Sequence, residues 1–113
     1  MSFAFEHEPV ASGHLIVASG ELDLTAIDEM STLFAMAIAG TRGAVILDLN
    51  RVDFVDSTAL GTILQGARQL ERAGKRLIVV AAKGPVRRLL EITGLAQSFT
   101  LHDTRADAIA DAA

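Results

Sequence analysis

Residues 44–61 read AVILDLNRVDFVDSTALG and contain both of the patterns from which the fold is predicted. Its first part, Ala44–Leu49, is short, β-branched and almost continuously apolar, which is typical of a strand covered on both faces. Asn50–Asp56 is rich in charged and polar residues, and it is predicted to be a loop. Within Leu60–Leu70 apolar residues recur three and four positions apart, which predicts an amphipathic helix ending near Gly74. A buried strand followed by such a helix indicates an α/β domain.

The same two patterns alternate along the rest of the chain. The predicted strands are Phe3–Glu8, His14–Ser19, Ala44–Leu49, Arg76–Ala82 and an edge strand at Phe99–Leu101; the predicted helices run from an N-cap at Thr25 to Gly40, over 57–73, from Pro85 to Gly94 and over Arg105–Ala112. The first two strands flank a turn at Pro9–Gly13 and predict a hairpin. The order ββαβαβα predicts an α/β fold, a small single-layer mixed β-sheet of four to five strands packed against helices, in one domain of residues 1–113.

Parallel strands would bring polar residues together at one edge of this sheet. Right-handed strand–helix–strand crossovers make the second, third and fourth strands parallel, so that their C-terminal ends share an edge. The segments expected to meet there are Gly20–Asp23, Asp53–Ser57 and Lys83–Gly84. Open α/β sheets place functional residues at such an edge. We therefore expect Asp23, Asp53 and Asp56 to cluster beside Ser57.

Asp56-Ser57-Thr58 begins the helix over 57–73, and its residues allow two interpretations. In the first, aspartate or serine caps free backbone N–H groups, and the segment is a helix N-terminus and nothing more. Alternatively, an exposed Ser57 hydroxyl accepts a phosphate, which the free N–H groups and the positive helix end would favour. The nearby aspartates would oppose the added charge. A phosphate there would change the surface potential sharply, which suits a docking switch.

Composition excludes several classes of function. The 113 residues include no cysteine, tryptophan or tyrosine and carry a formal charge of −4. A thiolate metal site and a cysteine nucleophile are therefore excluded, and direct nucleic-acid binding is disfavoured. No apolar run is long enough for a membrane span and no signal peptide is recognisable, so we expect a cytoplasmic protein. His7, His14 and His102 are not expected near Ser57, so neither an enzyme, a metal site nor a cofactor is predicted.

A receiver-like phospho-aspartate domain is an alternative of another class. Such a domain is also small and α/β, and Asp48 or Asp53 together with Lys83 imitates its acceptor aspartate and its lysine. It needs an acidic pair after the first strand, because Mg²⁺ requires several oxygen ligands. Here Asp23 alone follows the second strand, so the match is poor.

Four segments resemble the STAS domain of bacterial anti-sigma factor antagonists. They are Gly20–Asp23, Val45–Leu49, Val52–Gly61 and Pro85–Leu95, in the order of that family. The most specific part is DSTALG at residues 56–61. The resemblance implies that the unphosphorylated protein binds an anti-sigma factor that is also a serine kinase of the histidine-kinase-like ATPase type, and so releases a sigma factor. Phosphorylation would block this binding, and a PP2C-type phosphatase would restore it.

The resemblance also implies roles for individual residues. Ser57 would be the phosphoacceptor and Thr58 a less favoured one, while Asp23 and Asp56 would shape the docking surface. Ala59 stands where many relatives have glycine, and we expect it to stiffen the start of the helix because alanine is a good helix former. The same resemblance fits a STAS module that is never phosphorylated and serves as a scaffold or a transporter-associated subunit.

Overall fold

A computed structural model describes residues 2–40, 43–94 and 97–113. The strands are β1 (Phe3–Val10), β2 (Gly13–Leu22), β3 (Ala44–Val55), β4 (Arg76–Val80) and β5 (Thr100–His102). The helices are α1 (Ile27–Gly40), α2 (Ser57–Arg72), α3 (Pro85–Ile92) and α4 (Arg105–Ala112), and a 3₁₀ turn at Leu24–Ala26 precedes α1. This element order confirms the α/β prediction.

The five strands form one mixed sheet in the order β1-β2-β3-β4-β5. β1 and β2 pair antiparallel as the predicted hairpin, although β1 extends to Val10 and the turn is confined to Ala11 and Ser12. β2, β3, β4 and β5 are mutually parallel along the sheet, which confirms the predicted parallel direction of the second, third and fourth strands. The predicted stop of α2 near Gly74 is also confirmed, because that glycine adopts a φ of 75° just beyond the helix.

Apolar side chains cover both faces of the sheet. On one face, alternate residues of β2, β3 and β4 pack with α1, α2 and α3 in the larger core, whose helix residues include Phe34, Ile63 and Leu90. On the other face, the remaining strand residues pack with Ala108 of α4. Burial on both faces explains why the central strands consist of nearly continuous apolar runs.

The predicted loop at Asn50–Asp56 is wrong, because β3 continues to Val55. Two β-bulges interrupt its pairing with β2, and at each of them β3 contains one additional residue. The residues that reach the larger core are consequently Leu49, Val52 and Val55, which are three positions apart instead of two. Bulges thus remove the alternation that marks a strand in a sequence.

Polar contacts attach α4 and neighbouring loops to the centre of the sheet. Asp48 is 4% exposed, and its carboxylate accepts from Arg105 Nε and from the Asn50 N–H, each at 2.9 Å. The Asn50 side chain accepts from the Ala82 N–H at 2.7 Å and donates to the Asp103 carbonyl at 3.1 Å. Asn50 therefore joins three chain segments at the first bulge.

Candidate functional site

The C-terminal ends of β2 and β3 position the candidate site. The two strands finish together, since Leu22 pairs with Val55 at the last register position. The Asp56 N–H then donates to the Leu22 carbonyl at 3.0 Å, which adds one further bond between the two segments. Beyond these points the chain enters the 3₁₀ turn before α1 and the first turn of α2. Two helical starts therefore lie side by side.

Both helical starts have an aspartate followed two positions later by a threonine. Oδ1 of Asp56 accepts from the Ala59 N–H at 2.8 Å and from the Thr58 hydroxyl at 2.6 Å. Oδ1 of Asp23 accepts from the Thr25 N–H at 2.9 Å and also from the Thr25 hydroxyl. Each carboxylate thus satisfies a free N–H group at the start of its helical segment. We call Asp23–Thr25 and Asp56–Thr58 the twin caps.

The prediction that Thr25 caps the first helix is therefore wrong. Asp23 is the capping residue, and the Thr25 hydroxyl donates to its carboxylate instead of accepting from the helix. The 3₁₀ turn follows this cap, and α1 begins only at Ile27. Gly40 is the last residue of α1, not the residue that follows it as predicted.

Hydrogen bonding lowers the pKa of both capping carboxylates. The Thr25 hydroxyl, followed by the Thr25 N–H, lowers the pKa of Asp23, while partial desolvation and the charge of Asp56 oppose that shift. The Thr58 hydroxyl and the Ala59 N–H lower the pKa of Asp56, with a smaller contribution from the Leu24 N–H. Hydrogen bonds to a charged carboxylate stabilise that form. The twin caps therefore present two negative charges near neutral pH.

Ser57 and Thr58 are both exposed, but their hydroxyls differ in their contacts. The Thr58 hydroxyl is engaged with Asp56 at 2.6 Å. For Ser57 Oγ, the structure gives no hydrogen-bond partner among residues 2–40, 43–94 and 97–113. Ser57 is also the first residue of α2, where helix dipole and free N–H groups favour an anion. Of the two hydroxyls, that of Thr58 is therefore the one held by Asp56.

Asp53 and Lys83–Gly84 lie differently from Asp23 and Asp56. Asp53 is exposed and is the additional residue at the second bulge of β3. Within the described part of the chain, no hydrogen bond or ion pair connects its carboxylate to the twin caps. Its predicted contribution to the surface around Ser57 remains a prediction.

The prediction that Lys83–Gly84 borders Ser57 is wrong. The last residue pair of β4 is Val80 with Asp48, whereas β3 continues beyond it from residue 49 to residue 55. Because of the two bulges, β2 spans the same stretch with five residues, so at about 3.3 Å per residue β3 extends about 17 Å past the end of β4. The neighbouring Ala82 N–H is bonded to Asn50, which fixes this segment near the first bulge. Parallel strands share a direction, but their ends need not be level.

Sequence reasoning missed Leu24, which directly follows the first capping aspartate and lies close to the second. Its side chain is 69% exposed, and its N–H faces the carboxylate of Asp56. Leu24 occupies the same position in the first cap as Ser57 does in the second. The repeated Asp-x-Thr pattern at 23–25 and 56–58 is visible in the sequence and was the available signal.

Asp48, one acceptor considered for a receiver-like domain, lies in the middle of β3 and is paired with Arg105 beneath α4. Burial and pairing remove it from the strand end that such an acceptor needs.

Among the described residues, no group of three or more His, Cys, Asp or Glu side chains has a metal-binding arrangement. Within the same residues, every helix falls short of the length and apolar content of a membrane span.

Comparison with known proteins agrees with this architecture. The sequence profile of the STAS domain matches residues 7–108. A curated relative, the anti-sigma F factor antagonist of Paenibacillus polymyxa, is 32% identical over 101 residues, which cover 88% of this chain and 86% of the relative. The chain belongs to the STAS domain family and, within it, to the anti-sigma factor antagonists.

Solved structures of antagonists have the same fold. The anti-sigma factor antagonist from Mycobacterium paratuberculosis has a TM-score of 0.88 and 25% identity, covering 98% of this chain and 94% of that one. Unphosphorylated SpoIIAA, also an anti-sigma factor antagonist, has a TM-score of 0.80 and 28% identity, covering 96% of this chain and 95% of its own. Phosphorylated SpoIIAA from Bacillus superposes with a TM-score of 0.73 at 25% identity, covering 97% of this chain and all (100%) of its own.

Proposed function

We propose that the unmodified chain binds an anti-sigma factor that is also a serine kinase of the histidine-kinase-like ATPase type, and that this binding releases a sigma factor. Phosphorylation of Ser57 by the same partner switches the binding off, and a PP2C-type phosphatase restores it. The chain acts in the cytoplasm as a binding protein and as the substrate of these enzymes, without catalytic activity of its own.

One observation supports this proposal: an exposed serine begins α2 directly after the ionised Asp56, at the end of the sheet where the cap of Asp23 also lies. The N–H groups of the first helical turn favour a phosphate on Ser57. The carboxylates of Asp23 and Asp56 repel it, so the modification adds charge to a surface that is already negative. SpoIIAA has been solved in phosphorylated and unphosphorylated forms, which supports a fold that tolerates both states.

Charge complementarity suggests the character of the docking partner. Two ionised carboxylates in the twin caps suit a partner surface that contains basic groups. Edge charges act mainly on the rate of encounter, so added salt will slow association. Asp23→Asn keeps the capping oxygen but removes one charge, and it will weaken the dependence of the association rate on salt. An association rate that is unaffected by salt would contradict this part of the proposal.

Phosphorylation and binding are tested together with the anti-sigma factor kinases of the protein's own genome. After incubation with ATP, intact-mass spectrometry and peptide mapping will find one phosphate, on Ser57. Thr58→Ala will still be modified, whereas Ser57→Ala will remain unmodified and will bind the kinase constitutively. Ser57→Asp will bind more weakly than the parent. The proposal fails if both Ser57 variants bind every kinase as the parent does, or if the parent binds none.

The same reaction distinguishes the alternatives. Hydroxylamine cleaves an acyl phosphate but leaves a serine phosphate intact, so a label lost under hydroxylamine would indicate a receiver-like domain. A protein that none of the kinases modifies would instead fit the scaffold or transporter-associated module.

A further inference from the structure

The twin caps bring an exposed apolar residue close to the aspartate that precedes Ser57. Leu24 and Ser57 are each the residue that follows a capping aspartate, and both lie next to the carboxylate of Asp56. Leu24 is 69% exposed, although burying its side chain would be favourable in water. Single exposed leucines are common on protein surfaces, so exposure alone does not indicate a function. The position of Leu24 is what distinguishes it.

The backbone around Leu24 is fixed on both sides. Asp23 accepts from the Thr25 N–H at 2.9 Å through its side chain and from the Ala26 N–H at 3.0 Å through its carbonyl. The Leu22 carbonyl accepts from the Asp56 N–H at 3.0 Å. Leu24 therefore projects from a preorganised turn, and covering it would require little further ordering of the chain.

We infer that Leu24 is the apolar contact of the docking surface, covered by an apolar side chain of the anti-sigma factor kinase that is flanked by basic groups. The two carboxylates close to Leu24 favour this occupant. An apolar group alone would suit many partners, but Leu24 directly follows Asp23 and its N–H faces the carboxylate of Asp56, so two negative charges that basic side chains complement lie close to it. This inference rests on the proposed function, because the occupant is the partner proposed there.

The arrangement also explains how a phosphate on Ser57 would prevent docking. Covering Leu24 removes water from the surface around it, and a neighbouring dianion loses favourable hydration when that happens. The lost hydration of the phosphate thus makes close contact at Leu24 unfavourable. This effect comes in addition to the longer-range interaction of the phosphate with charged groups of the partner. Contact and charge have separate kinetic effects, since charges alter association and short-range packing alters dissociation.

The test measures binding kinetics on the immobilised kinase that binds the unmodified parent protein. Leu24→Ser will dissociate about 10- to 100-fold faster, while its association rate and salt dependence stay near those of the parent. Leu24→Met, which keeps apolar volume, will restore slow dissociation. Ile92→Ser is the matched control, because Ile92 is 71% exposed on α3, and its kinetics will equal those of the parent. Thermal unfolding followed by circular dichroism checks that each variant is folded.

The outcomes separate this inference from the proposed function. If Ser57→Asp weakens binding but Leu24→Ser dissociates like the parent, the role of Leu24 is refuted and the switch at Ser57 stands. Equal weakening by Leu24→Ser and Ile92→Ser also refutes a specific contact. If Ser57→Asp binds as the parent does, or if no kinase binds the parent, the proposed function fails and this inference fails with it.

Discussion

Replacing Gly61 by alanine will stabilise the protein, whereas the same replacement at Gly66 will not. Both glycines lie within α2, where glycine is less favourable than alanine by about 1 kcal/mol. A Cβ atom added at Gly61 would meet nothing within 4 Å. A Cβ atom added at Gly66 would lie 3.0 Å from each of three atoms of the Phe34 ring. The two sites therefore share the same gain in helix propensity and differ in steric cost.

The magnitude follows from the surroundings of Phe34. This residue of α1 is 2% exposed and belongs to the larger core, so its ring has little room to move away. Overpacking of a core typically costs about 1–3 kcal/mol, which cancels or exceeds the gain in helix propensity. The expected free energy of unfolding rises by about 1 kcal/mol for Gly61→Ala and is unchanged or falls by up to about 2 kcal/mol for Gly66→Ala.

Urea unfolding followed by far-ultraviolet circular dichroism measures this difference, since the chain has no tryptophan to report by fluorescence. If the free energy of unfolding depends on urea concentration with the same slope in all three proteins, the urea midpoint of Gly61→Ala will exceed that of the parent. The midpoint of Gly66→Ala will not. Equal stabilisation by both replacements would refute the close approach of α1 and α2 at Gly66. Destabilisation by Gly61→Ala would refute the open environment assigned to that position.

Three further predictions concern the start of α2, the C-terminal helix and the first bulge of β3. Ala59→Gly will lower the free energy of unfolding by about 1–2 kcal/mol, because a fully buried methyl group and helix propensity are both lost; an unchanged urea midpoint would contradict this. Hydrogen bonds from the Arg76 side chain and, to a smaller extent, from His102 lower the pKa of Asp111 from 3.8 to about 2. The ionised carboxylate therefore contributes its full stabilisation above pH 3.8, and this stabilisation is lost as the pH falls toward 2. Asp111→Asn will flatten the stability profile in that window, and an unaltered profile would count against the contact. Asn50→Ala will cost about 1 kcal/mol or more in urea unfolding through its two side-chain hydrogen bonds, and an unchanged midpoint would show that they contribute nothing.

Regular periodicity made most of the fold predictable from sequence. The apolar spacing within Leu60–Leu70 predicted α2, and the pattern at Arg105–Ala112 predicted α4 with the bounds that the structure has. Continuous apolar runs predicted that β3 and β4 are buried on both faces, and the crossover rule gave their parallel direction. Local patterns of this kind follow directly from which faces of each element are buried.

The errors have physical causes that single-sequence patterns do not contain. Bulges set the buried residues of β3 three positions apart, so the second half of the strand resembled a loop. Strand length determined which ends meet, and β4 proved too short to bring Lys83–Gly84 to Ser57. The sequence did predict that Asp23 and Asp56 lie close to each other, and both follow the end of the β2–β3 pair. The exposure of Leu24 and the approach of its N–H to Asp56 were known only from the structure.

One binding measurement on a single preparation tests the switch at Ser57 most directly. The dissociation constant for the anti-sigma factor kinase is determined before phosphorylation, after it, and again after phosphatase treatment. We expect it to rise about tenfold or more when Ser57 carries the phosphate and to return to its first value when the phosphate is removed. Equal affinity in all three states, with Ser57 fully modified in the second, would show that phosphorylation of Ser57 does not control binding.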